Sequence, residues 1–251
     1  MIKRLIFDLD NTLIDWKEEY WGAVEKSFED LGLKYTSKDM DAVKHAIDIY
    51  EDGRNITYNK EKMQKTVEDE LGYKLPDNFM ERWSENLKTC IPDKIDSSIV
   101  ETLEYLSKKY NLAILSNWLR DSQIGRLKNA NLYKYFSDFY ITEDIPMKPN
   151  KESFEIAIGS YAKDECIMIG DSLKTDIKGA VNAGIKAIYL NKTSEEDINT
   201  ENITTGIVII IFFLIKEPPC IYIPRASEPT YETTSITGFI VNMVITSTSA
   251  I

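Results

Sequence analysis

The chain has 251 residues, 43% of them hydrophobic, and its formal net charge at pH 7 is −11. This length and composition predict a sizeable buried core in one or two domains and argue against wholesale disorder. The acidic balance argues against nucleic-acid binding through a basic surface and against docking on anionic lipid. An acidic protein that binds an anion must place a cation locally, as a metal ion or as a focused lysine.

The cysteines and the single histidine exclude further classes of site. The three cysteines form no Cys-x-x-Cys pair, so no disulfide framework is expected and a reducing cytoplasm is the predicted location. Asp8 and Asp10 interrupt the apolar N-terminal run, which argues against an export signal. With His45 as the one histidine, a Ser-His-Asp triad or a multi-histidine zinc site is close to excluded.

Short apolar runs that predict strands alternate with helical patterns along most of the chain. The first strand is predicted at residues 3–7, and the later ones at 112–115, 139–141, 166–169 and 187–190. Apolar residues at helical spacing lie between the later runs. Strands that alternate with helices predict βαβ units, and hence an α/β fold with a Rossmann-like parallel sheet flanked by helices.

Residues 16–91 break this alternation, because their apolar spacing is helical throughout. The economical interpretation is an all-α helical-bundle domain of four helices, inserted after the first strand, with hinges near residues 15–16 and 91–93. The predicted core domain then comprises residues 1–15 and 92–202. Trp16, Tyr20 and Trp21 begin the inserted domain, and they either face a cleft or pack its interior.

Residues 203–251 form a tail of different composition, rich in Ile, Ser and Thr. Its apolar run at 207–215 is roughly half of the ~20 residues that cross a bilayer as a helix, so no stable membrane insertion is expected. The β-branched residues favour strands. A β appendage, a weak membrane contact and a sequence foreign to the ancestral domain all remain open.

Two pairs of aspartates follow predicted strands, at the sheet edge where open parallel α/β sheets bind ligands. Asp8 and Asp10 come directly after the first strand, and Asp171 follows residues 166–169, with Asp176 about one turn later. Carboxylates that converge on one loop repel each other unless a cation or a proton joins them. Mg²⁺ prefers such oxygen ligands, so the pattern indicates a magnesium site; an isolated Asp-x-Asp also fits a polar turn.

Ser116, Asn117 and Lys148 are the other candidates at this edge. Ser116 and Asn117 close the second predicted strand, where a hydroxyl and an amide could hold phosphate oxygens. Both residue types also favour helix caps and turns. Lys148 precedes a predicted helix and could act as a point charge for phosphate; a solvated lysine fits the same position, and Lys151 is a rival for the same role.

Taken in order, these motifs resemble those of the haloacid dehalogenase-like hydrolase superfamily. The matching residues are Asp8-Leu9-Asp10-Asn11-Thr12, Ser116-Asn117, Lys148-Pro149 and Gly170-Asp171 with Asp176. The resemblance covers residues 1–202, and the helical insertion occupies the position of the family's first class of cap domain. One departure is Trp118, which follows Ser116-Asn117 where glycine is frequent in the family.

The resemblance implies a role for each of these residues. Asp8 would be the nucleophile that forms an aspartyl-phosphate, and Lys148 would pair with Asp8 and the phosphate. Asp10 would be the general acid for the leaving group and then the base for the attacking water.

The remaining residues of the motifs would bind phosphate and metal. Ser116 and Asn117 would bind the transferring phosphoryl group, and Thr12 would steady the loop beside it. Mg²⁺ would be held by Asp8, Asp10 through its backbone carbonyl, Asp171, and Asp176 either directly or through water.

The resemblance also indicates which branch of the family the chain is close to. Members with an aspartate in the position of Asp10 resemble phosphatases and phosphomutases, whereas the dehalogenase branch lacks this acid. We therefore expect a Mg²⁺-dependent phosphatase for a small phosphorylated metabolite such as a nucleotide, a sugar phosphate or phosphoglycolate, acting as a monomer or homodimer. A phosphomutase and a non-enzymatic phospho-accepting signalling module are the alternatives; the insertion at 16–91 disfavours the second.

Overall fold

Short runs of mostly aliphatic residues form the strands of this computed structural model, which describes residues 1–15, 19–52, 56–191, 208–212 and 220–222. Strands β1 to β5 coincide with the five predicted runs, and all of them pair in parallel. Their bounds are Arg4–Phe7 (β1), Asn111–Ser116 (β2), Asp138–Ile141 (β3), Cys166–Gly170 (β4) and Lys186–Asn191 (β5). The predicted Rossmann-like α/β sheet is confirmed, with β1 at its centre between β2 and β4.

Helices α1 to α4 lie between β1 and β2, where the sequence predicts four helices. They cover Glu19–Asp30 (α1), Ser37–Asp52 (α2), Lys60–Leu71 (α3) and Phe79–Leu87 (α4), and we call them the cap helices. Their apolar faces meet in one buried cluster around Val24 and Trp83. After α1, Gly32 adopts φ +67° and Leu33 N–H donates to the Phe28 carbonyl oxygen at 2.8 Å, a pattern typical of a glycine that ends a helix.

Successive residues of β1 face the two layers of helices that cover the sheet. The four helices of these layers are Ser97–Ser107 (α5), Arg120–Asn129 (α6), Lys151–Ile158 (α7) and Lys178–Ala183 (α8). Leu5 and Phe7 lie in one cluster with buried residues of α5 and α6, and Ile6 lies in another with buried residues of α7 and α8. Because side chains alternate between the two faces of a strand, helices on both sides bury β1 completely.

Two backbone hydrogen bonds join the cap helices to the segment that follows β3. In the connection between α2 and α3, Tyr58 N–H donates to the Thr142 carbonyl oxygen at 2.9 Å, and the Ile56 carbonyl oxygen accepts from Met147 N–H at 2.6 Å. Residue 147 directly precedes Lys148. The connection is therefore bonded to the loop that carries the predicted active-site lysine. The hinges expected near residues 15–16 and 91–93 stay predictions, and residues 16–18 lie outside the described residues.

Part of the C-terminal tail extends the sheet. Strand β6 (Val208–Phe212) pairs in parallel with β5, and β7 (Cys220–Tyr222) pairs antiparallel with β6. The strand order is thus β3-β2-β1-β4-β5-β6-β7, and the two added strands agree with the β-branched composition. The rest of residues 203–251 lies outside the described residues. Among the helices that are described, none has the length and apolarity to cross a bilayer.

Helix α8 approaches α7 so closely that position 179 has room only for hydrogen. A Cβ atom at Gly179 would lie 2.4 Å from Cε2 of the buried Phe154 and 3.1 Å from Cα of Pro149. We expect Gly179→Ala to lower the free energy of unfolding by about 1–3 kcal/mol through overpacking. The control is Gly22→Ala in α1, where a Cβ meets nothing within 4 Å and helix propensity should raise stability by up to ~1 kcal/mol. Urea unfolding measures the stability of both variants, and equal unfolding midpoints would contradict the close packing described for position 179.

Candidate active site

The ends of the central strands place three candidate residues at one edge of the sheet. Phe7, the last residue of β1, pairs with Ile169 of β4, so Asp8 and Asp171 leave neighbouring strands at nearly the same level. Asp8 N–H donates to the Ile169 carbonyl oxygen at 2.9 Å, which extends the ladder as far as Asp8. On the other side of β1, β2 ends at Ser116. The carboxyl edge of the sheet is therefore lined by aspartates and a serine.

The Lys148 side chain joins two of the aspartates. Its ammonium nitrogen lies 2.6 Å from Oδ1 of Asp8 and 2.6 Å from Oδ1 of Asp176, and all three residues are buried. Burial disfavours the charged lysine, but the negative charges of Asp176 and Asp8 outweigh it and raise the pKa of Lys148. The lysine therefore remains a cation and neutralises charge in the site.

Asp8, Asp171 and Asp176 form a cluster that could hold a metal ion. One carboxylate oxygen from each lies within 4.8 Å of the others. Burial raises the pKa of Asp8 to about 8, and the charges of Asp176 and Asp10 add to this rise while Lys148 opposes it. The cluster thus has more negative charge than one ammonium can balance, and its donors are all hard oxygen atoms. These properties fit Mg²⁺.

Gly170 makes the position of Asp176 possible. A Cβ atom at Gly170 would lie 2.3 Å from Oδ2 and 2.7 Å from Cβ of Asp176. Besides the bond from Lys148, the Asp176 carboxylate accepts a hydrogen bond from Ser172 N–H, with 3.1 Å to Oδ2. Asp176 lies in a π-helical turn, Leu173–Ile177, which precedes α8. The sequence predicted a helical pattern here but not the wider turn.

Asp10 is held by two residues that lie outside the sequence motifs. Gln123 Nε2 donates to Oδ2 of Asp10 at 2.7 Å, and Arg126 Nη1 forms an ion pair with Oδ1. Gln123 and Arg126 are fully buried polar residues of α6. A possible signal was their spacing of three residues, which puts both on one helix face, but nothing in the sequence says that this face is buried.

Ser116, Asn117 and Thr12 make contacts within the protein at the same edge. The Ser116 hydroxyl oxygen accepts from Gln123 Nε2 at 2.8 Å. Asn117 Oδ1 accepts from Lys148 N–H at 2.9 Å, and its Nδ2 donates to the Lys148 carbonyl oxygen at 3.2 Å. The Thr12 hydroxyl donates to Oδ1 of Asp171 at 3.4 Å. The Asn117 side chain therefore fixes the lysine loop, and the expected phosphate contacts of these residues stay predictions.

Trp118 packs into the cluster of the cap helices. Its φ of +113° lies in a region that favours glycine, and its backbone N–H donates to the Thr142 hydroxyl oxygen at 3.2 Å. The indole ring centre lies 5.2 Å from that of Tyr58, 5.5 Å from Trp83 and 5.8 Å from Tyr20. Tyr20 is thus buried in the interior, as one of the two interpretations of the cap aromatics expected. Trp16 lies outside the described residues.

Binding of Mg²⁺ to this cluster should depend on pH through Asp8. A ligand carboxylate must be ionised, and the pKa of Asp8 in the metal-free fold is about 8, so binding below that pH displaces a proton. Affinity should then fall by up to about tenfold for each pH unit lowered. We expect MgCl₂ to raise Tm more at about pH 8.5 than at about pH 6, measured against a chelator.

The variant Asp8→Asn is the matched control for this measurement. It removes the titrating carboxyl group, so any remaining rise in Tm on addition of MgCl₂ should be nearly independent of pH. A rise in the unmodified protein that is equal at both pH values would contradict the assignment of Asp8 as a ligand.

A family model described as haloacid dehalogenase-like hydrolase matches residues 5–190. This range contains the cap helices, every candidate site residue described above, and strands β1 to β5 except the first residue of β1 and the last residue of β5. Strands β6 and β7 lie beyond it.

Several named proteins are similar over most of the chain. YfnB of Bacillus subtilis is 26% identical over 209 residues, which are 78% of this chain and 87% of YfnB. Pyrimidine 5'-nucleotidase PynA of Streptococcus pneumoniae is 27% identical over 205 residues, 75% of this chain and 84% of PynA. Glyceraldehyde 3-phosphate phosphatase of Methanothermobacter thermautotrophicus is 27% identical over 202 residues, 78% of this chain and 88% of that enzyme.

The fold also matches a solved structure. The crystal structure of Bacillus subtilis YfnB bound to magnesium aligns with a TM-score of 0.61 at 23% identity, and the match covers 77% of this chain and 91% of that one. At this level of identity the match shows that the two proteins share a fold.

Proposed function

The chain belongs to the haloacid dehalogenase-like hydrolases, and we propose that it is a Mg²⁺-dependent phosphatase that hydrolyses a small phosphorylated metabolite through an aspartyl-phosphate on Asp8. The observation that carries this proposal is the buried arrangement of Asp8 against Lys148, beside the metal-binding candidates Asp171 and Asp176. Relatives named as a pyrimidine 5'-nucleotidase and as a glyceraldehyde 3-phosphate phosphatase support a phosphoric monoester as substrate.

The first step would transfer the phosphoryl group to the protein. An oxygen of Asp8 attacks phosphorus, the bond between phosphorus and the ester oxygen breaks, and that oxygen takes a proton from Asp10. Lys148 lies 2.6 Å from Oδ1 of Asp8 and neutralises charge near the reacting atoms. Phosphoryl transfer needs mainly positioning and charge neutralisation, and Lys148 would contribute to both by holding Asp8 in place and by offsetting part of the negative charge.

The second step would release inorganic phosphate. A water molecule attacks the phosphorus atom of the aspartyl-phosphate and gives a proton to Asp10, and the bond between phosphorus and the Asp8 oxygen breaks. Asp8 is restored as a carboxylate and Asp10 in its protonated form, so the cycle closes. Two such steps are each easier than direct hydrolysis.

Mg²⁺ fits the acidic cluster by the chemistry of its donors. Asp8 and Asp171 would hold it together with the backbone carbonyl of Asp10, and Asp176 would bind directly or through water. Bound there, the ion would supply positive charge for the phosphate oxygens.

A screen for phosphate release tests the proposed function. The panel contains nucleoside monophosphates, sugar phosphates, phosphoglycolate and glyceraldehyde 3-phosphate, each with MgCl₂ and with an excess of chelator. Turnover that requires MgCl₂ and is absent in Asp8→Asn would support the proposal. No hydrolysis of any member, or hydrolysis that survives in Asp8→Asn, would contradict it.

Substitution of the two aspartates of the first motif should have different effects. Asp8→Asn should abolish turnover of every phosphate ester, because an amide is a poor nucleophile. In Asp10→Asn, phosphorylation by an aryl phosphate should partly survive, since its leaving group departs without a proton. Phosphorylation by an alkyl phosphate should slow by about 10²–10⁴-fold, the usual contribution of general acid–base catalysis.

Rapid quench with intact-protein mass measurement reads this difference. Asp10→Asn should accumulate a phosphorylated protein from the aryl substrate, because no base activates the water of the second step. Equal losses on both substrates in both variants, with no trapped adduct, would instead favour direct attack of water on the substrate.

A further inference from the structure

Helix α6 buries two large polar side chains, those of Gln123 and Arg126, beside the small Ser122. Gln123 is 0% exposed and Arg126 is 1% exposed, whereas a surface helix normally directs such residues to water. Burial of a guanidinium costs several kcal/mol unless partners compensate for the lost hydration. Both residues therefore need an explanation from what they contact.

Arg126 is fixed by groups on several sides. Its Nη1 contacts Oδ1 of Asp10 and donates to Oε1 of Gln123 at 3.2 Å, and its Nε donates to the Cys90 carbonyl oxygen at 3.0 Å. The guanidinium carbon lies 5.8 Å from the ring centre of Tyr20 in α1. Burial opposes the charge, but Asp10 outweighs it and raises the pKa of Arg126. The guanidinium thus remains charged and has one defined position.

Arg126 also determines the orientation of the Gln123 amide. Because Arg126 donates to Oε1, the other end of the amide is the nitrogen, and it faces Asp10. This Nε2 lies 2.7 Å from Oδ2 of Asp10 and 2.8 Å from the Ser116 hydroxyl oxygen. One amide nitrogen therefore sets the spacing between the proposed acid–base and a residue expected to bind the phosphoryl group.

We propose that Arg126 and Gln123 are positioning residues that hold the Asp10 carboxylate in the orientation for proton transfer. The inference rests on the proposed function, since it assumes that Asp10 moves the proton. A carboxylate offers about four acceptor sites, and the two donors occupy one on each oxygen. Each oxygen therefore keeps an acceptor site that a proton can occupy. The Asp10 side chain is 27% exposed, so a substrate can reach it.

Fixing the Asp10 carboxylate should affect the rate because proton transfer depends on geometry. An aspartate in a loop has several rotamers, and a misplacement of about 1 Å can cost about 10²-fold in rate. Two fixed donors select one rotamer before substrate binds. Their loss should therefore reduce proton transfer, and not the attack by Asp8.

The test compares kcat/KM for an aryl phosphate with kcat/KM for the best alkyl phosphate from the panel, because this constant reports the steps up to departure of the leaving group. Arg126→Met should lower it about 10²-fold for the alkyl substrate and less than about tenfold for the aryl substrate. Gln123→Met should act in the same direction. Arg126→Lys, which keeps the charge but not the fork geometry, should restore part of the alkyl activity.

Arg4→Met is the matched control. Arg4 is also buried, at 3% exposure, and its Nη1 lies 3.1 Å from Oδ2 of Asp138. It lies at the opposite end of β1 from Asp8, so its loss should lower stability without changing the ratio of aryl to alkyl kcat/KM. Tm values for all variants separate loss of folded protein from loss of catalysis.

The outcomes separate this inference from the proposed function. If Asp10→Asn depends on the leaving group but Arg126→Met and Gln123→Met do not, or lose both activities equally, the inference is overturned and the proposed function stands. If the unmodified protein hydrolyses no phosphate ester, both are overturned. If it does, but Asp10→Asn shows no dependence on the leaving group, the acid–base role of Asp10 and this inference are overturned, while phosphatase activity itself stands. Should Arg126→Met fail to fold, Gln123→Met and Arg126→Lys carry the same comparison.

Discussion

The ammonium of Lys148, held between Asp8 and Asp176, is the interaction on which the rest of the site depends. Buried carboxylates cost several kcal/mol each unless they are paired, and this one cation serves two of them at 2.6 Å. The lysine can do so only if its loop is fixed. Asn117 bonds both the N–H and the carbonyl oxygen of Lys148, so the segment after β2 and the cation take their positions together.

The cap helices are attached to the same two segments. Met147, next to the lysine, is bonded to Ile56 in the α2–α3 connection, and Trp118, next to Asn117, packs among the aromatic rings of the cap. The φ of +113° at Trp118 is strained for a residue with a side chain, at an expected cost of order 1–3 kcal/mol. Burial of a large indole ring can offset that cost. The position of the cap helices is therefore linked, through one backbone hydrogen bond and the packing of Trp118, to the segments that carry Lys148 and Asn117.

The strands and the order of the site motifs could be predicted because both are local in sequence. Aliphatic runs mark β1 to β5, and Asp8 and Asp171 follow their strands directly. The contact of Arg126 with Asp10 could not be predicted, since it joins residues 116 positions apart and polar residues within a helical pattern ordinarily indicate a solvated face. Asn117 shows the same limit: its residue type indicates a polar contact, but only the fold shows that the Lys148 backbone is the partner.

The charge at this edge of the sheet favours a divalent cation there. Among the described residues, Asp8, Asp10, Asp171 and Asp176 stand against two cations, Lys148 and Arg126, and each cation is already paired with carboxylates. When all four aspartates are ionised, two negative charges remain over. Burial raises the pKa of Asp8, and the charges of Asp176 and Asp10 add to that rise. The same negative charge would repel an anionic substrate. A divalent ion held by the acidic cluster would offset that negative charge and would supply a positive partner for phosphate oxygens.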